Sequence, residues 1–197
     1  AQNKHVEVRH ATDLRLDKIV KIKDSEWVWS SVGNCEKFHF KVGSATEKKY
    51  ITYSGSLEVP TQRLLHSEEA ENPDQITHLS ANKDYIASID FANKTLKIFS
   101  STTEEHLFDI QLTDFKHPYG VHLTADAVLV TDLDAGKLCK YSLTASFEPI
   151  WTCSGLPRPS GITTDECGFI YVCNTLKPLI NIISPVGKCL SVMKKVY

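Results

Sequence analysis

The chain has 197 residues, of which 42% are hydrophobic and 23% are charged, and its formal net charge is −2. This composition is typical of a chain that folds around an apolar core, and it excludes an intrinsically disordered protein. No apolar run approaches the roughly 18 residues of a membrane-spanning helix, and the small net charge gives no general attraction to nucleic acid or to anionic membranes. The sequence therefore predicts one soluble domain, 1–197, which we expect in the cytoplasm.

The cysteines are spread along the chain without a CxxC motif or a cysteine–histidine cluster of the kind that binds zinc. We interpret most of them as buried thiols. Two pairs are placed to face each other across a hairpin, which leaves an oxidising compartment possible. These pairs are Cys139 with Cys153 and Cys173 with Cys189; the other two cysteines are Cys35 and Cys167.

The first predicted unit spans residues 17–53 and contains apolar runs that alternate with polar residues, as in KIVKIK and EWVWSS. Alternation with a period of two is typical of β-strands. The segment that follows, 54–75, is polar, acidic and proline-bearing, so we expect it to be a surface insertion.

Three further units follow, at about 76–113, 119–154 and 160–194, and they repeat at an interval of forty-two residues. The interval carries Asp90 to Asp132 and then to Asn174. Each unit contains two alternating runs joined by turn-forming residues, with a further apolar run before and after them. This pattern predicts four antiparallel strands per unit.

A four-stranded unit of about forty residues cannot bury its apolar faces alone, so it has to stack on its neighbours. Radial stacking gives a β-propeller, and linear stacking gives a β-solenoid, whose repeats are usually shorter and whose strands are parallel. The predicted fold is therefore all-β, a propeller of four-stranded blades of the NHL or WD40 kind, with about four blades in this chain.

The residues of the last unit resemble the NHL repeat, through the runs Pro159–Ile162, Ile170–Val172 and Ser184–Lys188. The preceding unit carries the same proline-x-glycine start at Pro118 and Gly120. NHL propellers often have six blades, so the resemblance implies part of a larger ring. It also implies the C-terminal recognition domain of a tripartite-motif (RING, B-box and coiled-coil) E3 ubiquitin ligase, with ubiquitin transfer performed by other domains.

Propellers commonly bind partners through the loops that leave the second strand of a blade and those that lead into the next blade. The sequence predicts a protein partner or ubiquitination substrate at these loops, with single-stranded RNA as an alternative because cations recur in them and an aromatic ring could stack on bases. Exposed lysines in hairpin turns are also often simply solvated. The predicted partner-binding residues are Phe91, Lys94, Lys116, His117, Tyr119, Lys137, Arg158 and Lys177.

Asp90, Asp132 and Asn174 could ligate a metal around a channel, but a strand-ending Asp more often caps backbone amides, and we favour capping.

His78 and His122 are predicted to occupy equivalent places on first strands, with Thr163 or Thr164 in the third copy, which leaves no third zinc ligand. No hydrolase or phosphate-binding motif is present. The sequence therefore predicts a non-catalytic module without cofactor or metal, and a metal-dependent six-bladed propeller hydrolase or lyase is the alternative.

Overall fold

The computed structural model describes six strands before residue 70 and, from there on, residues 78–144 and 148–194. Every regular element in these ranges is a β-strand, so the prediction of an all-β fold is confirmed. No helix in them has the length and apolar character needed to cross a membrane. The chain divides into two compact units, Ala1–Ile76 and Thr77–Tyr197, where the sequence predicted one domain.

The first unit contains a two-stranded sheet and a four-stranded antiparallel sheet, which we call the first sheet. The two-stranded sheet pairs β1 (His5–Arg9) with β2 (Leu16–Lys21). The first sheet consists of β3 (Glu26–Gly33), β4 (Lys37–Ser44), β5 (Lys49–Ser56) and β6 (Gln62–Glu69).

The bounds of the first sheet differ from the expected unit at 17–53 and insertion at 54–75. Strand β2 pairs with β1 and not with β3, and β6 lies inside the expected insertion, where it pairs with β5. An edge strand pairs on one side only and often carries charged residues. The acidic composition of this segment therefore led to its prediction as a loop, although it contains an edge strand. Leu64 of β6 is 55% exposed, in keeping with such a position.

The second unit contains three four-stranded antiparallel sheets, each a simple up-and-down meander. The second sheet consists of β7 (Leu79–Ala81), β8 (Tyr85–Asp90), β9 (Thr95–Ser100) and β10 (His106–Gln111). The third sheet consists of β11 (Pro118–Leu123), β12 (Ala127–Asp132), β13 (Lys137–Ser142) and β14 (Trp151–Ser154). The fourth sheet consists of β15 (Pro159–Thr164), β16 (Ile170–Asn174), β17 (Leu179–Ile183) and β18 (Cys189–Lys194).

The repeat predicts the registers of these sheets correctly. Asp90, Asp132 and Asn174 each end the second strand of their sheet. The pair Val130 and Cys139 recurs one repeat later as Val172 and Asn181. The interval of forty-two residues is therefore the length of one structural unit.

The three sheets of the second unit pack face against face through two apolar clusters. Ile89 and Leu96 of the second sheet pack with Val130 of the third in one cluster, and Leu138 of the third packs with Ile183 of the fourth in the other. A fully buried Leu or Ile side chain contributes roughly 1.5–3 kcal/mol through the hydrophobic effect. The burial of apolar side chains between sheets therefore holds each sheet to the next, as expected for units that cannot bury their apolar faces alone.

Candidate functional site

One end of the sheets in the second unit carries all the loops that the sequence singled out. We call it the turn end; it consists of the hairpin turns 91–94, 133–136 and 175–178 and the connections 112–117 and 155–158. Strands β8, β10, β12 and β14 finish at this end because consecutive strands are antiparallel. All eight predicted partner-binding residues lie at or beside the turn end.

Two aspartates of the third sheet position His117. The Asp132 carboxylate, fully buried, accepts the backbone N–H groups of Lys116 at 2.7 Å and His117 at 2.9 Å. The Asp134 carboxylate lies 3.3 Å from Nδ1 of the same histidine. Backbone and side chain are thus held by two carboxylates of one turn.

The His117 imidazole is left with one ring nitrogen that has no hydrogen-bond partner among the described residues. This atom, Nε2, is buried, while the side chain as a whole is 19% exposed. With Asp134 accepting from Nδ1–H, the neutral ring carries its lone pair on Nε2. The arrangement can therefore accept a proton at Nε2 or donate a hydrogen bond from it after protonation.

Arg158 shares the Asp134 carboxylate, with its Nη2 at 3.3 Å from Oδ1. Both side chains are about half exposed, so solvent weakens the ion pair. The Arg158 backbone has a φ of 55°, a left-handed conformation that is uncommon for residues other than glycine. Left-handed residues of this kind are enriched at ligand sites, which makes Arg158 a candidate binding residue.

Four aromatic rings form a continuous row at the turn end, which we call the ring row. The ring of His117 lies 5.0 Å from that of Phe91 and 6.0 Å from that of Tyr119, and Tyr119 lies 4.9 Å from His78. Burial raises the pKa of the Tyr119 phenol, so this residue stays neutral near pH 7. The ring row joins the second and third sheets and offers a partly exposed stacking surface.

The predicted cations have different environments. Lys137 lies over the Phe115 ring, 4.4 Å from its centroid, and donates to the carbonyl oxygen of Asp114. Lys116 is exposed beside His117, and Lys177 is exposed in the turn of the fourth sheet. Lys94 has a φ of 48° at the turn position where the next sheet has Gly136. Lys137 and Arg158 thus already bind protein groups, which reduces the positive charge available for RNA phosphates.

The structure adds Asp134 and His78 to the predicted binding residues. Asp134 follows the strand-ending Asp132 by two residues and lies in a turn that faces the connection before β11. An acidic residue at that offset, opposite a histidine, is the signal that could have identified it.

The capping prediction is confirmed for two of the three strand-ending residues. Besides its bonds to the connection, Asp132 accepts the Ala135 N–H at 3.0 Å, and Asp90 accepts the Asn93 N–H at 3.1 Å. Asn174 differs, because its Nδ2 donates to Leu179 O and its Oδ1 is buried with no hydrogen-bond partner among the described residues. An amide can point its donor into its own hairpin, which a carboxylate cannot do.

The predicted equivalence of His78 and His122 is wrong. His122 pairs with Leu129, and the same register position is Ser80 in the second sheet and Thr163 in the fourth. His78 precedes β7 and belongs to the ring row. His78 lies two residues further from His122 than the forty-two-residue interval, so it precedes the strand position that His122 occupies.

His122 contacts the fourth sheet through Thr164, whose Oγ1 lies 3.0 Å from its Nε2. Burial lowers the pKa of this imidazole. In the described parts of the chain, no three or more His, Cys, Asp or Glu side chains are grouped so that they could hold a metal ion.

The two predicted hairpin cysteine pairs do not form. Cys139 lies opposite Thr152 and Cys153 opposite Leu138, so the two thiols are on opposite faces of the third sheet. Strand β17 separates Cys173 on β16 from Cys189 on β18. The five cysteines from Cys139 onward are free thiols, and Cys35 lies outside the described residues.

No protein-family model matches the chain, and no curated protein is similar to it in sequence. Solved structures are similar in three dimensions. A chain of the mitotic checkpoint complex is 13% identical with a TM-score of 0.71 over 98% of this chain and 59% of that chain. The fold is a β-propeller.

Two other similar propellers are enzymes. A catalytically inactive variant of virginiamycin B lyase from Staphylococcus aureus, solved with quinupristin, is 12% identical, with a TM-score of 0.64 over 98% of this chain and 60% of that one. A streptogramin B lyase is 15% identical, with a TM-score of 0.62 over 85% of this chain and 54% of that one. The present chain thus spans little more than half the length of these propellers.

These similarities correct the prediction of a non-catalytic module. The absence of a catalytic motif favoured a module without activity, yet similar solved structures include lyases. A propeller builds its sites from loops of several blades, so linear motifs are a poor guide to its chemistry. Neither the NHL family nor RNA binding gains support from the comparisons.

Proposed function

We propose that this chain is part of a propeller enzyme of the hydrolase or lyase type, in which the turn end binds the substrate and His117 transfers the proton. The observation that carries the proposal is the His117–Asp134 pair, in which one imidazole nitrogen faces a carboxylate at 3.3 Å and the other has no partner among the described residues. A histidine oriented in this way by a carboxylate is a common general base or acid.

The chemistry follows from the two ring nitrogens. Nδ1–H donates to Asp134, which fixes the tautomer and leaves the lone pair on Nε2. This nitrogen can remove a proton from a substrate carbon or from water once substrate binding opens access to it, because it is buried in the free protein. The Asp134 carboxylate then stabilises the imidazolium that forms. Arg158, on the same carboxylate, supplies positive charge for an anionic or carbonyl oxygen of the substrate.

The ring row gives the site its predicted substrate class. Phe91 and Tyr119 flank His117 and are partly exposed, so a ligand with apolar or aromatic groups can pack on them beside the His117 ring. Two solved structures of similar fold are named a virginiamycin B lyase and a streptogramin B lyase. Virginiamycin B and other streptogramin B compounds are therefore the first substrates to test.

The test is turnover of a panel of streptogramin B compounds, with virginiamycin B and quinupristin among them, by the purified chain and by His117→Gln. We expect product formation by the unmodified chain and a loss of about 10²–10⁴-fold in the variant, because a positioned acid or base contributes that much. His106→Gln is the matched control, since His106 also pairs with a carboxylate, Asp109 at 2.7 Å, but lies on the outer strand β10.

The panel contradicts the proposal if no member reacts faster than in buffer. It also contradicts the role of His117 if His117→Gln and His106→Gln retain equal activity. Circular dichroism of both variants, compared at equal concentration, separates a lost reaction from a lost fold.

A second candidate function is recognition of a protein partner at the same end, as the resemblance to the tripartite-motif ligases implies. Its support is the similarity to a chain of the mitotic checkpoint complex, which acts within a protein assembly. Partly exposed aromatic rings beside Arg158 also have the composition of an interaction hot spot. The full reading frame that encodes this chain tests the candidate. RING, B-box and coiled-coil domains encoded ahead of Ala1 would favour it. Further propeller blades without these domains would count against it.

A further inference from the structure

Two cysteines meet where the third sheet packs on the fourth. Cys153 of β14 is 6% exposed and belongs to the apolar cluster between these sheets, together with Ile183 of β17. Cys189, the first residue of β18, lies opposite Ile183 in the sheet and is exposed. Because residues directly opposite in a sheet share a face, Cys189 lies on the face of the fourth sheet that packs on Cys153.

The surrounding contacts hold this meeting point in place. Trp151 of β14 donates from Nε1 to the carbonyl oxygen of Pro185 at 3.2 Å. A Cβ on Gly187 would lie 2.6 Å from the Trp151 ring, so the turn before β18 is packed tightly on β14. The Asn181 amide Nδ2 lies 3.6 Å from the Cys189 sulfur. These contacts therefore hold Cys189 beside β14, which distinguishes it from the other exposed cysteines.

The two thiols differ in their exposure to solvent. Cys189 is open to a reagent in solution, whereas Cys153 is buried. Burial raises the pKa of the Cys153 thiol, and the neighbouring Cys189 raises it further, so the exposed thiol reacts first.

We propose that Cys153 and Cys189 form a reversible disulfide site that joins the third and fourth sheets. The Cys189 thiolate attacks a low-molecular-weight disulfide such as oxidised glutathione, forms a mixed disulfide and releases one glutathione thiolate. The Cys153 thiolate then attacks the Cys189 sulfur and releases the second. Two protein thiols are oxidised, one glutathione disulfide is reduced, and the two thiol protons pass to solvent or to the released thiolates.

The bond would close a loop of thirty-odd residues that contains most of the fourth sheet. Cross-linking a loop of this length restricts the unfolded chain, and we expect the Tm to rise by about 5–10 °C on oxidation. Because the second step needs the Cys153 thiolate, disulfide formation should also accelerate as the pH rises from 7 to 9.

The experiment treats the purified chain with oxidised glutathione, blocks the remaining thiols, and maps the cysteines by mass spectrometry without reduction. We expect a Cys153–Cys189 peptide as the main cross-linked species and the rise in Tm. Cys189→Ser should abolish both, and because this side chain is exposed the variant should still fold. Cys173→Ser, also exposed and in the same sheet, is the matched control and should retain both.

The proposal is overturned if Cys153 stays blocked as a free thiol after oxidation, or if Cys189 pairs instead with Cys167 or Cys173. It is also overturned if Cys173→Ser removes the rise in Tm as fully as Cys189→Ser does. The reaction does not involve His117, so its outcome is independent of the proposed function.

Discussion

The third and fourth sheets are built on the same repeat but have different environments. The third lies between two sheets, and its Leu129 and Leu138 are 1% and 0% exposed. Forty-two residues later, Tyr171 and Ile180 occupy the same register positions and are only partly buried. Equal positions in a repeat therefore become core or surface according to whether a further sheet packs on them.

The outer strand of the fourth sheet, β18, also exposes several large apolar side chains. Leu190, Val192 and Met193 are 49%, 43% and 51% exposed. A monomeric protein seldom leaves several large apolar side chains in solvent on one element. The contrast with the third sheet can be tested by matched substitutions at equivalent positions, from the largest expected effect to the smallest.

The largest difference is expected between Leu138→Ala and Ile180→Ala. Leu138→Ala should lower the free energy of unfolding by about 3–4 kcal/mol, because it leaves a cavity between two packed sheets. Ile180→Ala should cost about 1 kcal/mol, because its side chain is already partly in water. Urea unfolding followed by circular dichroism measures both, and equal losses would show that the fourth sheet is as well covered as the third.

A smaller difference is expected between two glycines that follow the proline start shared by β11 and β15. A Cβ on Gly120 would overlap the carbonyl oxygen of Ser160, whereas a Cβ on Gly161 meets no described residue within 4 Å. Gly120→Ala should therefore destabilise the protein by about 2–3 kcal/mol, and Gly161→Ala should change its stability by less than about 0.5 kcal/mol.

Thermal unfolding of both glycine variants is a sufficient measurement. A tolerated Gly120→Ala would mean that the third and fourth sheets can move apart at little cost. A strongly destabilising Gly161→Ala would mean that another element covers the fourth sheet in solution.

The smallest effect is a pH dependence at His122, whose equivalent in the fourth sheet is the exposed Thr163. Burial lowers the pKa of His122 below its ordinary 6.5, so the unfolded chain binds the proton more readily than the folded one. Stability from this group is therefore full above pH 6.5 and is lost as the pH falls through the folded pKa.

His122→Thr should remove that loss, so the urea midpoint of the unmodified chain should fall more between pH 7.5 and 5.5 than that of the variant. All other ionisable groups are the same in both proteins, so their contributions cancel in the difference. If the urea midpoint falls equally in the two proteins, His122 is more exposed to solvent than the structure of the third sheet indicates.

Much of the fold followed from the spacing of a few residues. The interval from Asp90 to Asp132 and Asn174 gave the length of a unit, and the period-two runs beside them gave its strands. The first unit was harder to predict. Its edge strand β6 carries few apolar residues, so periodicity could not distinguish it from a loop.

The candidate site was predicted in part. His117, Phe91 and Tyr119 were placed correctly at one end of the sheets, because antiparallel strands bring alternate loops to the same end. The role of Asp134 was not predicted, since nothing in the spacing shows that its carboxylate reaches across to the histidine of another connection.

The sequence by itself determined the strands, the repeat length and which loops share an end, because these depend on local periodicity and turn chemistry. Only the tertiary structure decided which faces are buried, which imidazole nitrogen has no partner among the described residues and which cysteines lie at the same interface. The physical reason is that these properties depend on distances between residues far apart in the chain, and the packing of one sheet on the next sets those distances.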